Sequence, residues 1–237
     1  MNISNSLSER QKAIAVLLFA ALVFYVLSLF SFGRLVQWPF VILTTFVHEL
    51  GHGLTAILVG GKFISMQLHA DASGLAMLRI PSDGMSRALA SAGGLLAPSL
   101  FGGLLIWAGR STKTSSRVFF ALSIIMLLSC VLWIRSLFGL AVIGGLGAGF
   151  LALARLRQPG LHQFLIQFIG VHMLVDTLTR TLGYLMSSSA SVNGSVRHSD
   201  TAAMADALGG PHLLYGIIIA VLALSVFWFS LRAAYFR

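Results

Sequence analysis

The chain has 237 residues, 57% of them hydrophobic and only 10% charged. Soluble domains carry about 25% charged residues, so an ordinary water-soluble globule is excluded. The net charge of +9, from 16 Lys and Arg against 7 Asp and Glu, is scattered through short loops between apolar runs; it suits anionic lipid headgroups and argues against a nucleic-acid-binding stripe.

Apolar runs near the ~20 residues of a membrane span recur from end to end, so residues 1–237 read as one integral, multi-pass membrane domain. Seven candidate spans lie at about 13–32, 37–59, 87–109, 118–134, 137–154, 161–186 and 211–233. Before the first, Arg10 and Lys12 precede a run longer than a signal-peptide core and without an A-x-A site, so this span is expected to remain as an anchor. The second holds "TTFVHELGHGLTAI" (44–57).

After it, "FISMQLHA" alternates, with Ile64, Met66 and Leu68 on one side and Ser65, Gln67 and His69 on the other. "DASG" and a second short run follow, which is a β-hairpin signal over residues 63–80. Small residues from Ala92 to Gly103, with Pro98 among them, would let the third span pack closely against a neighbour. Spans four and five are short and meet at Arg135, so six spans with a re-entrant hairpin is the alternative count. Cys130 sits in "MLLSCVLWI" as a small hydrophobe. Between spans six and seven, residues 187–210 are polar and read as a flexible loop. The expected fold is therefore an all-α polytopic membrane protein of six or seven transmembrane helices, with a short β-hairpin between the second and third.

"HELGH" is an H-E-x-x-H pattern. Histidines four apart share one helix face, so His48 and His52 can reach one metal ion. Glu49 beside them can act as general base toward a water activated by zinc. A charge deep in a membrane costs ~2.5–3.5 kcal/mol on insertion scales. One Zn2+ per chain accounts for all three polar groups at once, where a boundary cluster satisfied by water or partner helices would need separate reasons for each.

Catalytic zinc usually takes three protein ligands, and the chain offers few further acids. Glu9 precedes the first span, Asp71 and Asp83 flank the hairpin, and Asp200 and Asp206 follow the polar loop. Asp176, in "IGVHMLVDTLTRTLGYL", lies well inside an apolar segment and is the expected third ligand. His172, Asp176 and Arg180 are spaced four apart, so an Asp176–Arg180 ion pair competes with ligation, and Arg180 or His172 could instead support the ligand from behind. Asp200 is the fallback ligand if its loop folds back over the site. His69, His162, His198 and His212 read as interfacial groups.

"FVHELGHGLTAILVGGKFISMQL" resembles the metal-binding span and following hairpin of the site-2-protease-like intramembrane zinc metallopeptidases, in particular their compact bacterial M50B-like branch. Gly60-Gly61, the small-residue span "SAGGLLAPSLFGG" (91–103) and "HSDTAAMADALGGPHLLYG" match that branch's later features. The resemblance implies a multi-pass protease of the bacterial cell membrane. Its partners would be membrane-spanning or membrane-anchored protein substrates. It also implies an aspartate ligand on a later helix within L-D-G or N-P-x-x-D-G; Asp176 matches by position, but Thr177 stands where glycine is expected. Two other functions compete. A catalytically silent, membrane-binding relative would not require Glu49, and an ion- or proton-coupled transporter would be expected to carry a second, inverted copy of the site.

Overall fold

A computed structural model describes residues 3–156 and 158–236. Eight helices and two small hairpins follow in chain order among these residues. Helix α1 (Ile3–Ser28) breaks at Leu29-Phe30 and is followed by α2 (Ser31–Leu58). Strands β1 (Lys62–Leu68) and β2 (Gly74–Arg79) precede α3 (Gly84–Ala108), α4 (Thr112–Leu132), α5 (Leu137–Arg155) and α6 (Pro159–Met186). A second hairpin, β3 (Ser189–Val192) and β4 (Ser195–His198), leads into short α7 (Asp200–Leu208) and the last helix, α8 (His212–Tyr235).

Helices α2, α3, α4, α5, α6 and α8 are each long and apolar enough to cross a membrane. Among the described side chains, α1 adds the apolar stretch Ile14–Ser28. In place of the re-entrant hairpin of the alternative count, α4 and α5 are separate full-length helices.

Local chemistry explains where the elements stop. Helix α2 ends in a Schellman turn, in which the Gly60 N–H bonds Ile57 O at 3.0 Å and the Gly61 N–H bonds Ala56 O at 2.8 Å. Gly60 takes φ +83°, which an L side chain resists. Helix α3 starts where the Asp83 carboxylate accepts from the Ser86 N–H at 2.8 Å, and α7 where the Ser199 hydroxyl accepts from the Ala202 N–H at 3.3 Å.

In the first hairpin β1 and β2 run antiparallel, from Lys62 opposite Arg79 to Leu68 opposite Gly74. A bulge between Phe63 and Ser65 shifts the alternation by one residue. Phe63 therefore joins Met66 and Leu68 on the buried face, and Ile64, expected there from period two, is half exposed. The outer edge of β1 is closed by the α4–α5 turn. Met66 N–H donates to Trp133 O at 2.8 Å, Arg135 N–H donates to Met66 O at 3.0 Å, and the Ser136 hydroxyl bonds both backbone groups of Leu68 at 3.0 Å. Among the described residues no strand covers the far edge of β2.

One core joins α2, the first hairpin, α4, α5 and α6 through Ile42, Phe46, Met66, Phe119, Ile143 and Ile166. A second joins α1, α3, α6 and α8 through Phe24, Ile106, Val171 and Leu231. His162 is fully buried, contrary to its interfacial reading: the Ser116 hydroxyl meets its Nδ1 at 2.6 Å and its Nε2 donates to Leu153 O at 2.7 Å. The imidazole here ties together three helix ends.

Helices α3 and α6 touch backbone to backbone. A Cβ on Gly102 would lie 2.6 Å from Gly170 O, and one on Gly170 would lie 2.7 Å from Gly102 O. Neither carbonyl can swing aside, so Gly102→Ala is expected to push the helices apart and cost about 1–3 kcal/mol. A lowered thermal unfolding midpoint in detergent checks this; an unchanged midpoint would mean that the helices separate freely.

Candidate metal centre

His48 and His52 lie one turn apart on α2, their rings 4.6 Å apart and nearly perpendicular. Their Nε2 atoms face each other at 3.0 Å. His52 Nδ1 is 2.8 Å from Ala90 O on α3. A carbonyl only accepts, so Nδ1 carries the proton and Nε2 presents a bare lone pair. That ring sits against Gly94, where any Cβ would collide with it.

The third group comes from α7. Asp200 Oδ2 is 3.1 Å from His48 Nε2 and Asp200 Oδ1 is 3.4 Å from His52 Nε2. Burial alone would raise this carboxyl's pKa, but positive charge on the two imidazoles, whose place a bound metal ion would take, outweighs burial and holds it below the usual carboxylate range. Its place in the first turn of α7 also favours a negative charge.

His48, His52 and Asp200 each offer one ligand atom, and these atoms lie within 4.8 Å of one another. Tetrahedral zinc with bonds of about 2.0–2.1 Å sets its donors roughly 3.4 Å apart. The donor set of two imidazole nitrogens and one carboxylate oxygen therefore suits zinc in both size and chemistry. Glu49 is buried beside this cluster, and Gly74 of β2 lies so close that a Cβ there would meet Glu49 Oε1 at 2.5 Å.

Asp176, the expected third ligand, is placed elsewhere. Its Oδ2 accepts from Arg180 Nε at 2.7 Å, and Arg180 Nη2 donates to Thr45 Oγ1 at 2.9 Å. Thr45 Oγ1 in turn donates to Ala72 O in the hairpin turn at 2.8 Å. The reason lies in helix phase. Thr177 and Thr181 occupy the face of α6 turned toward His48, and Asp176 stands about 100° from Thr177. Asp176 borders a separate cavity of about 350 Å³ with Arg34, Trp38 and Asp71. The structure thus brings together His48, Glu49, His52 and Asp200, and leaves Asp176 in the ion pair that its spacing also allowed. His172 is buried with its ring packed on Phe24 and Phe40, and it bonds neither Asp176 nor the cluster.

Asp200 arrives because the 187–210 segment is folded, not loose. Strands β3 and β4 pair in register across Asn193-Gly194, whose φ values of 47° and 76° make a type I′ turn. The Asn193 N–H donates to the Ser73 hydroxyl at 3.1 Å, joining the tips of the two hairpins. Helix α7 packs on the start of α3, where Gly84 abuts Ala207 O. The Asn-Gly pair between short runs was the available signal for this hairpin. Together the elements enclose a cavity of about 270 Å³ lined by His48, Glu49, His52, Asp200 and the uncovered edge of β2.

The sequence profile of the family described as Peptidase M50B-like matches residues 13–230, nearly the whole chain. No match to a curated protein or to a solved structure accompanies it.

Proposed function

The chain belongs to the Peptidase M50B-like family, and on that premise we propose that this multi-pass membrane protein is an intramembrane zinc metallopeptidase. It would hydrolyse peptide bonds in membrane-embedded or membrane-anchored protein segments. The observation that carries this reading is the convergence of His48, His52 and Asp200 on one point, beside Glu49, in one cavity.

His48, His52 and Asp200 would hold the metal. When bound there, zinc supplies Lewis acidity and lowers the pKa of an attached water toward ~7. Glu49 takes a proton from the attacking water as its oxygen bonds to the peptide carbonyl carbon, and returns it to the nitrogen as the C–N bond breaks. Its place beside the ligands, not among them, supports that role. The bare edge of β2 offers backbone N–H and C=O groups to an unwound substrate strand, in reach of Glu49 at Gly74. The opposite edge of the same hairpin is already closed by the α4–α5 turn, so strand addition is confined to the side facing the metal ligands. Arg180, anchored by Asp176, reaches the wall of this cavity and steadies Thr45 against the hairpin turn.

The test uses full-length protein in mild detergent with peptides copied from membrane spans. Cleavage that stops on treatment with a chelator and returns with stoichiometric zinc is the expected result. Chelator-insensitive cleavage would overturn the reading. Tight zinc without cleavage across the panel would favour a silent membrane-binding relative, and ion flux in sealed vesicles would favour a transporter.

A further inference from the structure

The two metal-facing histidines are supported unequally. His52 donates a hydrogen bond from its Nδ1–H to Ala90 O. Among the described residues the hydrogen bonds of His48 run through Nε2, to His52 and Asp200. Histidine ligands almost always place their second nitrogen on a partner that fixes tautomer and ring orientation.

Beside His48, between α2, α3 and α6, lies a small cavity with about 10 Å³ of room for a water centre. That is at the threshold for one water molecule. Leu95 closes one side, and the remaining wall brings Thr44, Pro98, Thr177, Arg180 and Thr181 around the imidazole. Thr44 Oγ1 donates to Phe40 O at 3.0 Å and Thr177 Oγ1 to Met173 O at 2.8 Å, each one turn back on its own helix. The hydroxyl of Thr181 does not do so: it is fully buried and bonds no protein group. Leaving such a hydroxyl unsatisfied is costly, because it gives up its bonds to water on folding. Arg180 borders the same space while holding Asp176 and Thr45.

From this geometry we infer that a single ordered water occupies the cavity, accepts a hydrogen bond from the Nδ1–H of His48 and bonds the Thr181 hydroxyl. The water does for His48 what Ala90 O does for His52. Thr181 is then a positioning residue: it acts on the metal through a water and an imidazole, without touching metal or substrate. The inference rests on the metal-centre reading above.

Zinc affinity, measured on the full chain in detergent by competition with a chromophoric chelator, tests it. Thr181→Val keeps the shape and drops the hydrogen bond, and is expected to weaken zinc binding by about 10–100-fold. Thr181→Ser should bind within a few-fold of wild type. Thr177→Val, whose hydroxyl is already spent on its own helix, should leave affinity unchanged. The Co2+ absorption spectrum should shift in Thr181→Val and not in Thr181→Ser. If valine impairs folding, seen as a lowered unfolding midpoint without metal, Thr181→Ala is read in its place with the same expected direction. Wild-type affinity in Thr181→Val, or an equal loss in Thr177→Val, would overturn the inference while leaving the metal centre standing. A wild-type protein that binds no zinc would overturn both.

Discussion

Glu49→Gln is expected to lower peptide hydrolysis by about 10²–10⁴-fold, the usual contribution of a general base, while zinc content stays at the wild-type level. Glutamine matches glutamate in size, so the close packing of Glu49 against Gly74 survives the change. What it loses is the ability to take a proton from water. Glu49 is not among the three groups that converge on the metal position, so the metal should remain. Activity is read by cleavage of a membrane-span peptide, and metal by elemental analysis of the same sample. A variant that cleaves at the wild-type rate would remove Glu49 from the chemistry. One that loses metal and activity together would make it a ligand.

Much of the architecture was readable because membrane spans announce themselves by length and apolarity. The short alternating runs after Gly60-Gly61 likewise marked a hairpin. What was not readable is instructive. The bulge at Phe63–Ser65 moves Phe63 into the core and Ile64 out of it, and a one-residue shift of this kind leaves no trace in a period-two pattern.

The metal site divides in the same way. His48, Glu49 and His52 are local: four residues of helix fix their relation, and the spacing alone carries it. The third group is not local. Asp176 drew attention because an acid inside an apolar run demands a reason, and Arg180 four residues on is reason enough. Asp200 reaches the imidazoles only after β3 pairs with β4, their tip bonds Ser73, and α7 docks on α3. Those are long-range packing events spread over residues 189–208, and no local periodicity reports them. The Thr181 hydroxyl was equally hidden, since only the packed helices show which threonines have spent their hydroxyls.

The decisive comparison is zinc stoichiometry in Asp200→Ala and Asp176→Ala, purified side by side in detergent and measured per chain. Removing Asp200 takes away one of three converging donors, so zinc is expected to fall from about one per chain to near zero. Removing Asp176 breaks only the ion pair to Arg180, so zinc should stay near one per chain with some loss of thermal stability. Zinc retained without Asp200 and lost without Asp176 would contradict the metal centre described for this fold.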